Sequence, residues 1–214
     1  MAILLQEMEV KTKQTYKFEL PESLLQEFHG QSLDSSFKPA QKESGVQIGQ
    51  DTSLFSVDLY KTLDWLHSHE LPKPLEKEVC PVPVLLYVPK FSTEHLLFHY
   101  DGTPNSARLI RNFISLFENL ISESKATIIS PSFIPKSKIR EEQEIIQLVT
   151  SNTRETSFIK FNFSRIGDFW SYGVKHQCTL LVTSKNYQSD LAKVLFHFYK
   201  GEIWSDKLSF YLSL

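Results

Sequence analysis

A proline-bracketed apolar run, followed closely by a strand–turn–helix pattern, constrains the fold of this chain more than any other feature. The run Cys80–Pro89 has the sequence CPVPVLLYVP, whose β-branched and aliphatic residues are typical of a buried strand. The segment His95–Tyr100, HLLFHY, predicts a second strand, and Asp101–Pro104 then leads directly into a helix. A strand that closes one α/β unit is thus followed by the opening of another, which predicts a module boundary near Pro89–Phe91.

The composition is that of an ordinary globular protein. The chain has 214 residues, 41% hydrophobic and 22% charged, with a formal net charge of −2, so we expect neither nucleic acid nor an anionic membrane as a partner. Cys80 and Cys178 are far apart and form no metal-ligand spacing, which favours two buried thiols in a reducing compartment. No apolar stretch approaches the roughly 18 residues of a membrane span, and the first apolar run, Met1–Leu5, is too short for a signal peptide. We therefore expect a cytoplasmic protein.

The second half of the chain alternates between helical and strand patterns. The stretch 104–122 carries apolar residues at helical spacing from Ile110 onwards, and Thr103 followed by Pro104 marks its start. Further along, the patterns predict a strand at 126–130, a helix at 137–150, a strand at 158–163, a short helix or turn at 166–176, a strand at 179–183, a helix at 190–199 and a last strand at 208–214. Strands separated by helices predict an α/β fold with a mostly parallel sheet built of βαβ units.

The first half is less regular. Loose alternation over residues 8–20 predicts one or two exposed strands, and the polar, glycine-containing residues 30–53 predict a long loop. Apolar residues at helical spacing from Phe55 to Leu66 predict a helix there, and a strand at 82–88 follows it.

The segment His95–Ser106 resembles the opening of the universal stress protein family, whose first strand ends in Asp-Gly-Ser before the first helix. The run Cys80–Pro89 is similar to the proline-flanked strand that closes a module of that family. The resemblance implies the tandem form, with residues 1–90 as a shortened first module and residues 91–214 as a universal-stress-like α/β domain. It also implies a Rossmann-like, mostly parallel five-stranded sheet with helices on both faces, and dimerisation through the last strand.

Nucleotide-binding members of that family resemble one another in a glycine pattern just after the fourth strand, where bare backbone can approach a phosphate. In this chain Ser184 falls at the first glycine, Tyr187 at the second and His197–Phe198 at the final Gly-Ser/Thr pair. Every glycine is absent, which argues against ATP binding, and we expect no cofactor. A nucleotide, if one binds, would use five residues at strand ends: Asp101, Gly102, Thr103, Ser130 and Ser184. For Asp101 a structural role is favoured, because Asp at a strand-to-helix turn caps backbone N–H groups.

The residues that could carry chemistry do not form a convincing catalytic or metal site. His95 and His99 face one side of a strand but lie about 13 Å apart at its usual rise, too far to share a metal ion. Ser130 and Ser184 lie at strand ends, where ligands bind in open α/β sheets, yet no base is placed to activate either. The acidic run Glu141–Glu144 is expected to be a solvated helix face. The sequence therefore predicts no metal site and no catalytic residue.

The last predicted strand, 208–214, has strong β character and no charged residue after Lys207. Left open, such an edge would invite aggregation, so we expect it to be covered. The resemblance offers two covers, which are the same strand of another copy and the run 82–88 of the same chain. The tandem form favours the second.

Three functional hypotheses fit these observations. The favoured one is a non-catalytic cytoplasmic protein that acts in stress response or regulation through self-association, as a homodimer, or through a protein partner. The alternative is an adenine-nucleotide (ATP or AMP) or small-ligand binding protein that uses Asp101 and the loop after Val182. The third is an enzyme of the wider adenine-nucleotide superfamily, such as an ATP pyrophosphatase. That class needs a Ser-Gly-Gly-type phosphate loop, which Asp101–Ser106 does not supply.

Overall fold

A computed structural model of the chain describes residues 54–68, 83–163, 165–198 and 207–213. Its strands are β1 (Phe55–Asp58), β2 (Val84–Tyr87), β3 (His95–His99), β4 (Lys125–Ser130), β5 (Glu155–Lys160), β6 (Leu180–Ser184) and β7 (Ser209–Ser213). Its helices are α1 (Leu59–Ser68), α2 (Pro104–Ile121), α3 (Ile139–Asn152), α4 (Ile166–Lys175) and α5 (Gln188–Phe198), with 3-10 turns at Lys136–Lys138 and Lys185–Tyr187. The strands predicted within 8–20, the loop predicted at 30–53 and Cys80 lie outside the described residues.

The described strands form one sheet in the order β1-β2-β7-β6-β3-β4-β5. Every neighbouring pair is parallel except β2 and β7, which are antiparallel. Counted from β3, the last five strands lie in the order 3-2-1-4-5, which is the Rossmann arrangement. The predicted α/β, Rossmann-like, mostly parallel sheet is confirmed. Residues 91–214 contribute the five strands β3–β7, and β1 and β2 extend this unit to seven strands.

The C-terminal strand β7 lies inside the sheet. It pairs with β6 on one side and with β2 on the other, where Leu85 is opposite Tyr211. All five residues of β7 are buried. The prediction that the run 82–88 covers this strand is therefore confirmed for Val84–Tyr87. Because both edges of β7 are paired within the chain, the dimerisation through the last strand that the resemblance implies has no free edge to use.

Helices cover both faces of the sheet, as predicted. On one face α1, α4 and α5 contribute Leu63, Phe169 and Leu195 to a core cluster. On the other face α2 and α3 contribute Phe113 and Val149 to a second cluster. Burying a side chain of this size stabilises the fold by about 1.5–3 kcal/mol each. Among the described helices, none has both the length and the apolar character that crossing a membrane requires.

The first strand was wrongly predicted as the start of a helix. Phe55–Asp58 is extended and pairs in parallel with Val84–Tyr87, and the helix begins only at Leu59. Asp58 sets this boundary, because its Oδ1 accepts hydrogen bonds from the N–H groups of Tyr60 at 2.8 Å and Lys61 at 3.3 Å. Such capping satisfies the first N–H groups of a helix, so helical geometry starts after the capping residue.

The strand predicted at 158–163 lies earlier in the chain. β5 pairs residue for residue with β4, from Lys125 opposite Glu155 to Ser130 opposite Lys160. β4 ends before Pro131, a residue without an N–H group to continue the ladder. Phe161 and Phe163 consequently lie beyond the strand, in the loop that follows it.

Candidate functional site

A small cleft opens at the carboxyl ends of the strands, beside the point where the strand order reverses. β3 lies between β4 and β6, and ligands of open α/β sheets bind at such a switch point. The cleft has a volume of about 140 Å³. Its lining includes His99, Asp101, Ser130, Phe161, Phe163 and Tyr187.

Asp101 holds the turn between β3 and α2. Its Oδ1 accepts hydrogen bonds from the backbone N–H of Thr103 at 2.9 Å and from the Thr103 hydroxyl at 2.6 Å. Thr103 in turn caps α2, because its Oγ1 accepts a hydrogen bond from the Ser106 N–H at 3.2 Å. Burial raises the pKa of Asp101, but polar contacts with Ser106 and Thr103 outweigh burial and hold that pKa below its usual value. The carboxylate is therefore ionised at neutral pH, and its Oδ1 is already hydrogen-bonded within the turn.

Gly102 has a conformational reason to be glycine. Its φ is +79°, a left-handed backbone conformation that side chains with a Cβ rarely adopt. An added Cβ would lie 3.5 Å from Cδ1 of Ile134, which is an ordinary van der Waals contact. The positive φ, and not a lack of space, is therefore the reason for glycine at this position.

Ser130 belongs to a polar cluster at the ends of β4 and β5. Its hydroxyl donates a hydrogen bond to Oε1 of Glu142 at 2.5 Å, and the Lys160 ammonium donates to the same oxygen at 2.5 Å. Lys160 also lies 3.3 Å from the Ser130 Oγ. Glu142 is only 7% exposed, so the prediction that the whole acidic run is a solvated face was wrong at this residue. A buried carboxylate is stable there because it is paired and hydrogen-bonded.

Ser184 ends β6 and caps the short turn that follows. Its Oγ accepts a hydrogen bond from the Asn186 N–H at 3.2 Å. Tyr187 comes one turn later, where the nucleotide-binding pattern would have its second glycine, and its ring lies 5.2 Å from the His99 ring. An aromatic ring therefore occupies space that bare backbone would leave for a phosphate.

The two histidines of β3 have hydroxyl partners. His99 Nδ1 lies 3.2 Å from Thr183 Oγ1, and His95 Nε2 lies 3.3 Å from Thr127 Oγ1. Burial lowers the pKa of His99, although Asp101 opposes that shift. Within the described ranges no group of three or more His, Cys, Asp or Glu side chains could hold a metal ion. Cys178 has a free, buried thiol whose pKa burial raises to about 12.

The structure brings only part of the predicted residue set into the cleft. Asp101 and Ser130 line it. Gly102, Thr103 and Ser184 lie in the turns beside it, each with the intramolecular role described above.

Sequence reasoning missed the aromatic side chains Phe161 and Phe163, which line the cleft. Their signal was an aromatic pair placed directly after a strand. It was hidden because the pattern assigned both residues to the strand itself.

No family model matches the sequence, and no curated protein matches it. Two solved structures are similar to parts of the chain. Protein Rv1636 from Mycobacterium tuberculosis H37Rv has 12% sequence identity and a TM-score of 0.33, and the match covers 42% of this chain and 69% of that one. A protein from the universal stress protein family from Burkholderia pseudomallei has 8% identity and a TM-score of 0.34, with 49% and 89% covered. At such scores the fold assignment rests on the strand order and pairing of this chain.

Proposed function

We propose that this chain is a non-catalytic, universal-stress-like protein of the tandem form, whose shortened first module takes the place of a dimer partner. The observation that carries the proposal is the antiparallel pairing of β2 with β7. Each of these two strands belongs to a strand–helix–strand unit whose strands are parallel. One unit consists of β1, α1 and β2, and the other consists of β6, α5 and β7. The two units are arranged head to head, as two copies would be around a two-fold axis.

The helices of these two units support the same arrangement. α1 and α5 cover the same face of the sheet, and Leu59 and Leu63 share a core cluster with Leu191 and Leu195. The ring of His67 on α1 stacks on Phe196 of α5 at 4.5 Å. Equivalent helices that meet next to equivalent strands are the expected result of two related half-units that share one sheet.

A role without tight nucleotide binding is part of the proposal. The turn at Asp101 is closed by its own hydrogen bonds, and Ser130 is bonded to Glu142. The Lys160 ammonium beside Ser130 is paired with the same carboxylate. A phosphate group would have to displace these contacts to bind.

Isothermal titration of the full chain with ATP and Mg²⁺ tests this part. We expect no binding tighter than about 100 μM, which corresponds to about 5.5 kcal/mol. Native mass spectrometry of freshly purified protein should likewise show no bound nucleotide. A micromolar dissociation constant for ATP would overturn the proposal and favour the alternative function, adenine-nucleotide binding.

The proposed cytoplasmic role in stress response or regulation acts through self-association or a protein partner. Of the four large apolar side chains that are exposed in the described part of the chain, Phe133, Ile139 and Phe161 follow β4 or β5 at the carboxyl edge of the sheet. The loops that carry Phe133 and Phe161 are tied together, because the Ser132 N–H donates to the Asn162 side chain at 2.9 Å. Grouped exposed apolar residues are typical of interaction surfaces.

Sedimentation velocity over a range of concentrations tests self-association through this surface. We expect Phe133→Ser to weaken the dimer, since Phe133 is 80% exposed and its loss leaves the fold intact. Leu116→Ser is the matched control, because Leu116 is the fourth exposed side chain and lies on α2. Equal dimerisation of the two variants and the parent protein would exclude this surface as the interface.

A further inference from the structure

The charge of the cleft is opposite to that of a phosphate site. Among the described residues that line it, none is Lys or Arg, and Asp101 carries the ionised group. At the N-terminus of α2 the N–H groups of Thr103 and Ser106 donate to side chains, and Pro104 has no N–H group to offer an anion. The cleft therefore attracts a cation and repels an anion.

The cleft is small compared with the pockets that hold drug-sized ligands. Drug-sized ligands occupy pockets of roughly 300–1,000 Å³, whereas this cleft measures about 140 Å³. A ligand of a few non-hydrogen atoms fits such a volume.

Aromatic rings form a connected wall along the cleft. Phe161, which is 50% exposed, lies at a ring-centroid distance of 4.9 Å from Phe163. Phe163 lies 6.0 Å from His99, which lies 5.2 Å from Tyr187. The faces of such rings attract cations, most strongly where water is partly excluded. A carboxylate beside several rings is the combination that recognises substituted ammonium groups.

We propose that this cleft binds a small organic cation with a methylated ammonium group, with Asp101 as its counter-ion and the rings of Phe161, Phe163 and Tyr187 around its methyl groups. The ligand is recognised by charge and by ring contacts, and it needs neither a phosphate nor a metal ion. This binding site does not depend on the tandem architecture proposed above, but it shares Phe161 with the surface proposed for self-association.

Choline is the probe, and its neutral isostere 3,3-dimethyl-1-butanol, in which carbon replaces the charged nitrogen, is the matched ligand control. Both are titrated into the ¹⁵N-labelled full chain and followed by two-dimensional NMR. We expect choline to bind with a dissociation constant of about 1 mM or tighter, and the neutral isostere to bind at least about tenfold more weakly. Equal affinities for the two compounds, or no binding of choline at about 10 mM, would overturn the proposal.

Two variants test the roles of Asp101 and Tyr187 in binding choline. Asp101→Asn keeps an oxygen to accept the Thr103 hydrogen bonds but removes the charge, and it should weaken choline binding at least about tenfold. Tyr187→Leu should weaken it severalfold through loss of a ring. Asp190→Asn is the control, because Asp190 is exposed on α5 and pairs with Lys193, and it should change nothing. Unchanged affinity in Asp101→Asn, or an equal loss in Asp190→Asn, would refute the assignment, and the comparison of the two ligands stands even if one variant fails to fold.

Discussion

Truncation of Leu85 tests whether the two segments of the chain unfold as one unit. Leu85 lies on β2, opposite Tyr211, and is fully buried in the cluster that packs against α2 and α3. Because β2 pairs with β7 and β7 with β6, the sheet continues from the first segment into the second without a break. We therefore expect Leu85→Ala to destabilise the whole described fold, and not residues 1–90 alone.

The magnitude follows from the burial of Leu85, which is 0% exposed. Replacing a fully buried Leu with Ala costs about 2–5 kcal/mol, through lost transfer free energy and the cavity that remains. With a denaturant slope of about 2 kcal/mol per molar urea, a loss of about 3 kcal/mol lowers the midpoint of unfolding by about 1.5 M.

Urea unfolding followed by far-UV circular dichroism and by tryptophan fluorescence provides the measurement. Leu180→Ala on β6 is the matched variant, since Leu180 is also fully buried in the same cluster, and both variants should move one shared transition. Leu116→Ala, at a residue that is 38% exposed, should move it by less than about 0.5 kcal/mol. Two separate transitions, of which Leu85→Ala moves one and Leu180→Ala the other, would refute the reasoning and show that the first segment folds on its own.

Three further predictions concern the turn and the cleft. Asp101→Ala should cost on the order of 1 kcal/mol through loss of the capping hydrogen bonds, and Asp101→Asn much less, as thermal unfolding would measure. A cost in Asp101→Asn equal to that in Asp101→Ala would contradict this role. Gly102→Ala should destabilise by about 1–2 kcal/mol because of its positive φ. Gly167→Ala, at the second residue of α4, should cost much less, because an added Cβ there makes only an ordinary contact with Val194. An equal loss of stability in the two glycine variants would contradict this prediction. Burial lowers the pKa of His99 below 6.5 in the folded protein. As the pH falls below about 6.5, the unfolded chain therefore takes up a proton on His99 more readily than the folded protein does. The free energy of unfolding should consequently decrease as the pH falls toward the native pKa. The variant His99→Gln should flatten the dependence of unfolding free energy on pH between about 5 and 7, and an unchanged slope would argue against it.

Features determined by neighbouring residues in the sequence could be predicted, and those determined by distant partners could not. The start of α2 depends on Thr103 and Pro104, whose contacts lie within one helical turn, and the sequence predicted it. The extended conformation of Phe55–Asp58 depends on pairing with Val84–Tyr87, which lie across a long segment of chain. Periodicity alone assigned Phe55 to the helix because the residues after it have helical spacing.

The candidate site shows the same division. Asp101 and Ser130 could be placed at the cleft because Asp101 directly follows a predicted strand and Ser130 ends one, and strand ends of a parallel sheet meet at one edge. The aromatic wall combines Phe163 from the loop after β5 with Tyr187 from the turn after β6, and no local pattern relates these two residues. The pairing of Glu142 with Lys160 was equally hidden, because the burial of Glu142 depends on how α3 packs against β4 and β5.

The ends of the sheet limit how two copies could associate. β7 has no free edge, because β2 occupies the position that a partner's strand would take. β5 is an edge strand of the sheet. It begins with Glu155, which is paired with Lys125, and ends with Lys160, which is paired with Glu142. Charged side chains on an edge strand oppose the addition of another strand. Association by extending the sheet is therefore blocked at β7 and disfavoured at β5, whereas β1, the opposite edge of the described sheet, pairs only with β2 and carries no such block. The exposed side chains of Phe133 and Phe161 offer a second route to a dimer that does not extend the sheet.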